Sequence, residues 1–217
     1  MPALREFSVA PLRPLPIILL ADVSGSMSES GKIDALNYAV AEMIAALQQE
    51  DAAVDFQVAI ITIGQEAVLH QPPKSVSQVS WQTMEARGKT PIGAAFALAT
   101  QLLEDREMIP GRAYAPTLVL VSDGQPTDEW FQPLELLLGS DRASKASRFA
   151  MAIGDDADRS MLQRFIGDQG VRVFEAHEAR EISKFFRWVT MTVSLRSRSA
   201  NPNKTEYTEL DDFDLDF

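Results

Sequence analysis

Residues 16–27, PIILLADVSGSM, constrain this chain more than any other stretch. Four consecutive apolar residues, Ile17, Ile18, Leu19 and Leu20, run almost directly into the polar segment Asp22-Val23-Ser24-Gly25-Ser26. A continuous apolar run, unlike an alternating one, marks a strand buried on both faces, as in a parallel sheet covered by helices. The polar segment is then the loop at the carboxyl end of that strand, where open α/β sheets bind ligands. Asp22, Ser24 and Ser26 are spaced so that one short loop can aim three oxygen side chains at one point. An all-oxygen set suits a hard cation such as Mg²⁺ or Mn²⁺. Asp, Ser and Gly also crowd into ordinary turns, so on its own this segment favours a plain turn over a site.

The rest of the chain alternates strand and helix signals. Residues 1–16 are Pro-rich and predict an extended lead-in. Residues 32–49 carry Ile33, Leu36, Val40, Ile44 and Leu47 at helical spacing, with Ser30 or Gly31 as a cap. Residues 55–63 predict a second strand, stopped by Gly64. Residues 66–70 predict a short third strand, ended by Pro72-Pro73 and suited to an antiparallel edge. Thr90-Pro91 starts a helix, Thr as N-cap and Pro at the first helical position, with Ile92, Phe96, Ala99 and Leu103 as its buried stripe. Strand 117–122, helix 128–138, strand 147–153, helix 158–166, strand 171–174 and helix 178–195 follow. Strands alternating with helices argue a parallel sheet covered on both sides.

At 217 residues, with 46% hydrophobic and 24% charged residues, the chain fits one soluble globular domain. Its net charge of −11 is unevenly placed: residues 206–217 hold six of the 31 acids and none of the 20 bases. No basic face for nucleic acid is indicated. Absence of Cys excludes disulfides, thiol catalysis and Cys-based zinc sites. No apolar stretch approaches the ~20 residues of a spanning helix, and no signal peptide is legible. A cytoplasmic location is expected.

Two later segments raise the odds of a site. GKTPIG at 88–93 opens a helix, and TLVLVSDG at 117–124 is a second apolar strand ending in Asp123. With residues 22–26 they resemble the metal-ion-dependent adhesion site of the von Willebrand factor A (vWA) domain: D-x-S-x-S, a lone Thr, then a lone Asp after a later strand. Asp22, Ser24, Ser26, Thr90 and Asp123 match in that order. The resemblance covers residues 13–195, leaving 1–12 as an N-terminal extension and 196–217 as a flexible acidic and hydrophobic C-terminal tail. It implies a Rossmann-like α/β fold: a mainly parallel six-stranded sheet with one short antiparallel strand and helices on both faces. It also implies that Ser24, Ser26 and Thr90 ligate the metal through hydroxyls, and Asp22 and Asp123 directly or through water. The cation would be Mg²⁺ or Mn²⁺, with Ca²⁺ as an alternative.

Rival chemistry fails on spacing. Gly88-Lys89-Thr90 imitates the end of a P-loop, but position 83 is Thr where the earlier Gly is required. Ser24 and Ser26 lack a G-x-S-x-G elbow, and His70 and His177 read as surface histidines. Trp81, Trp130 and Phe131 are candidates for a partner-contact rim, with core packing favoured for each. The expected function is non-enzymatic: a divalent cation presented to an acidic residue of a partner protein. The opening RPLPIILLADVSGSM resembles small bacterial vWA proteins of the TerY type. That implies a tellurium-resistance, stress-response or defence system, with a protein kinase and a PP2C-type phosphatase as associates. Two alternatives stand beside it. One is an adaptor with a structural metal, acting through the tail and its anchors Leu210, Phe213, Leu215 and Phe217. The other is a vWA subunit serving an AAA+ ATPase.

Overall fold

Strand and helix alternate along the chain as the periodicity predicts. A computed structural model describes residues 11–204. The strands are β1 (Arg13–Asp22), β2 (Val54–Ile63), β3 (Ala67–Ser75), β4 (Thr117–Ser122), β5 (Ser147–Ile153) and β6 (Phe174–Ala176). The helices are α1 (Lys32–Gln49), α2 (Ile92–Glu104), α3 (Phe131–Gly139), α4 (Arg159–Ile166) and α5 (Ala179–Arg198). The strands form one six-stranded sheet in the order β3-β2-β1-β4-β5-β6. Every pairing is parallel except that of β3 with β2.

The central strand β1 shows why the core has two halves. Leu15, Ile17, Leu19 and Ala21 pack with the buried faces of α1 and α5, while Ile18 and Leu20 pack with α2, α3 and α4. Side chains alternate across a strand, so an unbroken apolar run feeds both layers at once. Each fully buried Leu or Ile contributes about 1.5–3 kcal/mol. Aromatic pairs fill each half: Phe149 meets Trp188 edge-on at 4.8 Å on one side, and Phe96 stacks on Phe165 at 5.8 Å on the other.

Several boundaries differ from the sequence expectation, and prolines explain two of them. Pro14 and Pro16 lie inside β1 although proline cannot donate to a ladder. β1 pairs with β2 from Arg13 but with β4 only from Ile17. The prolines share the edge facing the start of β4, where the Pro14 carbonyl accepts from the Tyr114 amide at 2.8 Å. β3 runs through Pro72-Pro73, where the sequence predicts a stop. It is an edge strand with register shifts near Ile60, so the missing donors go unused. α3 starts at Phe131 and β6 at Phe174, each three residues later than expected.

The last helix continues past 195 to Arg198. Arg196 is buried and donates to the Thr117 hydroxyl at 2.7 Å, the Ala115 carbonyl at 2.6 Å and the Pro202 carbonyl at 2.9 Å. Asn203 then accepts from the Ala115 amide at 2.9 Å. A buried guanidinium is tolerated only with such acceptors, so packing extends to Asn203, beyond the expected break at 195. The tail anchors Leu210, Phe213, Leu215 and Phe217 lie outside the described residues.

Candidate metal centre

The parallel register of β1 and β4 builds the site. Ala21 stands beside Val121, so one residue further on the ends of both strands bring Asp22 next to Ser122. The Ser122 hydroxyl donates to Asp22 Oδ2 at 2.7 Å, and the Ser24 amide donates to Asp22 Oδ1 at 2.8 Å. The Ser24 and Ser26 hydroxyls lie 3.0 Å apart, and Ser26 donates to Asp123 Oδ1 at 2.8 Å. Asp22, Ser24 and Asp123 are buried, with Ser26 half-buried at the rim. The loop is pinned from the side: the Gly25 amide donates to the Gly88 carbonyl, and the Arg87 amide to the Val23 carbonyl.

Thr90 reaches the same end by another route. The sequence predicts Thr90 as the N-cap of α2, but the cap position is Pro91 and carries no side-chain cap. The first free amides of α2 are satisfied from afar. Gly93 and Ala94 each donate to an Asp128 carboxylate oxygen at 2.9 Å, so the Thr90 hydroxyl is not spent on the helix. Thr90 is buried and held by its backbone, its amide donating to the Thr127 hydroxyl and its carbonyl accepting from the Thr127 amide. Its Oγ1 faces Gly124: a Cβ added there would stand 3.9 Å away.

A cation was the missing element of the sequence reading. Lys32 Nζ lies 2.7 Å from Asp123 Oδ2. Burial pushes the Asp22 carboxyl above its ordinary value of 3.8, against the hydrogen bonds of Ser122 and Ser24, and the nearby Asp123 pushes the same way. Two buried carboxylates with three hydroxyls on one strand end suit a hard divalent cation. Among the described residues no group of three or more His, Cys, Asp or Glu gathers elsewhere as a competing metal centre.

The raised pKa of Asp22 has a stability consequence. A carboxyl raised in the fold holds its proton longer there than in the unfolded chain, so metal-free stability falls as pH rises from 3.8 upward. Asp22→Asn keeps an acceptor for the Ser24 amide and offers Ser122 a donor. In EDTA at neutral pH this variant is expected to melt about 2–4 °C above wild type, the shift ~1 kcal/mol gives in a domain of this size. The gain fades in acid. A neutral-pH melting temperature below wild type would contradict it.

The other candidates lie apart from this cluster. His70 is within 3.0 Å of the Gln82 carbonyl and meets Trp81 edge-on, and exposed His177 stands 3.7 Å from Asp155. Neither bonds to Ser24 or Ser26. Trp81 and Trp130 pack against the two core halves, while Phe131 is exposed under the Arg164 guanidinium. Ser122, Lys32 and Asp128 escaped the sequence reading. Only Lys32 left a signal there, as a cation in the first turn of a helix, where the dipole disfavours it.

Comparison with known proteins agrees with this geometry. The family model described as von Willebrand factor type A domain matches residues 17–125, from β1 to just past Asp123. An uncharacterized protein of Mycobacterium tuberculosis is 31% identical over 143 residues, 57% of this chain and 22% of that protein. A solved von Willebrand factor type A structure from Catenulispora acidiphila aligns with a TM-score of 0.65 and 18% identity, over 83% of this chain and 42% of that one. The proximal thread matrix protein 1 of mussel byssus, solved with a zinc-occupied adhesion-site motif, gives 0.61 and 14% over 83% and 48% of the two chains. This chain thus spans under a quarter of the first relative and under half of each structure. At these identities the two structures speak to the fold alone.

Proposed function

The chain belongs to the von Willebrand factor type A domain family, and from that we propose that Asp22, Ser24, Ser26, Thr90 and Asp123 hold a divalent cation for binding an acidic residue of a partner protein. The observation that carries this reading is the continuous chain from Ser24 through Ser26 to Asp123, beside a buried Asp22 and a Thr90 hydroxyl left free by the Asp128 cap. Mg²⁺ or Mn²⁺ fits the oxygen donors best. With only two carboxylates in the set, a bound divalent ion keeps Lewis acidity for a partner's carboxylate. The chain's own residues do the rest. Asp22 is fixed by Ser122, the loop is fixed by Gly88 and Arg87, and a cleft of about 540 Å³ flanks it, lined in part by Val23, Gln65, His70 and Arg87.

A binding module suits these residues better than an enzyme, since neither histidine is placed to serve Ser24 or Ser26 as a base. We place the protein in a bacterial cytoplasmic stress-response, tellurium-resistance or defence system, with a protein kinase and a PP2C-type phosphatase as candidate partners. The support for that narrower reading is the TerY-like opening sequence. Among the described residues no helix is long and apolar enough to cross a membrane.

The test is a pull-down from the native host in Mg²⁺ and in EDTA, with wild type and Ser24→Ala/Ser26→Ala. A partner held in Mg²⁺ and lost both in EDTA and in the variant, with the circular dichroism unchanged, is the expected result. A partner retained in both would overturn metal-bridged binding and direct attention to residues 206–217.

A further inference from the structure

We infer that Lys32 is a tethered counter-ion of the metal centre: its ammonium neutralises Asp123 in the metal-free protein and is displaced when the centre loads. The inference rests on the metal-binding reading above and adds a residue that the adhesion-site pattern does not contain.

Three observations carry it. First, Lys32 Nζ sits 2.7 Å from Asp123 Oδ2, and the Asp123 side chain is 0% exposed. The other oxygen, Oδ1, already accepts from Ser26, so the ammonium bonds a carboxylate whose second oxygen is committed to the ligand loop. Second, Lys32 is the first residue of α1, where a cation opposes the helix dipole. Helix preference does not place it there, whereas a buried carboxylate without another cation does. Third, the backbone is bent to deliver it. Ser30 (φ 53°) and Gly31 (φ 70°) are both left-handed, and Ser30 is the one non-glycine residue with positive φ among the described residues. Such a conformation costs about 1–2 kcal/mol for a residue bearing a Cβ. The paired turn reverses the chain after the 3-10 segment Gly25–Gly31, so that Lys32 pairs with Asp123, 91 residues away in sequence.

The consequence is an exchange. A buried carboxylate without a counter-charge is costly, so the ammonium keeps the metal-free loop folded. It also competes for Oδ2. The Lys32 side chain is 22% exposed, so its head can turn out to water on a long flexible stem without burying an unpaired charge. Cation affinity is therefore set below what the oxygen ligands alone would give.

Two measurements test this on the full chain. Lysine acylation, read by mass spectrometry in EDTA and in saturating Mn²⁺, reports whether Lys32 is released. The expected result is a rate at Lys32 that rises about tenfold with Mn²⁺, the factor for losing one half-buried ion pair, while Lys145 stays constant. Calorimetry compares Mn²⁺ binding to wild type and Lys32→Met. The variant is expected to bind about tenfold more tightly and to melt below wild type in EDTA. An unchanged Lys32 rate while calorimetry shows Mn²⁺ bound, or equal affinities, overturns the exchange and leaves the metal reading standing. No Mn²⁺ bound by either protein removes the metal reading and the inference with it. Binding by Lys32→Met alone supports the inference in its strongest form.

Discussion

Asp123→Ala is expected to reduce Mg²⁺ or Mn²⁺ affinity by at least about a hundredfold, since loss of even an outer-shell partner of a metal ligand costs 10–100-fold. Asp123 is one of only two carboxylates in the candidate set. Its Oδ1 orients the Ser26 hydroxyl and its Oδ2 holds Lys32. The alanine therefore removes a charge, loosens one hydroxyl ligand and frees an ammonium inside the site, and all three disfavour a dication. Fold stability should change much less, because Lys32 can reach water and Ser26 is half-buried. Calorimetry with Mn²⁺ and a thermal melt in EDTA separate the two effects. Undiminished Mn²⁺ binding in a folded Asp123→Ala protein would exclude this carboxylate from the site.

Gly93→Ala should be the most damaging small change in the chain. In a helix interior, replacing Gly by Ala ordinarily gains up to about 1 kcal/mol. Here a Cβ at position 93 would stand 2.0 Å from the Glu129 carbonyl oxygen and 3.1 Å from Asp128 Oδ2. The first of these is backbone and cannot swing aside, so the segment around 128–129 must move. That segment carries the carboxylate capping Gly93 and Ala94, and Thr127 just before it pairs with the backbone of Thr90. A loss of about 3 kcal/mol or more is expected, in the range of core overpacking with a broken cap. A further weakening of metal binding should follow from the displaced Thr90. Gly139→Ala, where nothing lies within 4 Å, is the control and should be neutral. Equal melting temperatures for the two variants would refute the steric argument.

Much of the fold was legible because it is written in local periodicity. The helix predicted at 32–49 and the strand predicted at 147–153 coincide with α1 and β5. An amphipathic stripe and an unbroken apolar run leave few alternatives at those places. The mainly parallel six-stranded sheet with one antiparallel pair stands as expected. Errors gathered where a local signal was overridden by position in the sheet. Pro72-Pro73 is a stop signal in isolation, yet an edge strand tolerates it. Thr90-Pro91 looks like a self-capped helix start, yet Asp128 supplies the cap from 35 residues away. The end of α5 was misplaced because charged residues read as surface, while Arg196 is buried against acceptors from β4 and the segment after the helix.

The sequence by itself determined the strand–loop–helix order and the five oxygen-bearing residues of the candidate site, because motif spacing and hydrophobic period are local properties. Tertiary structure alone decided what surrounds them. Ser122 steadies Asp22 across 100 residues, Lys32 faces Asp123 across 91, and Asp128 releases the Thr90 hydroxyl from capping. No period encodes those partnerships. They arise when parallel β1 and β4 set two loop-bearing strand ends side by side, and burial then requires every charge and amide there to find a partner.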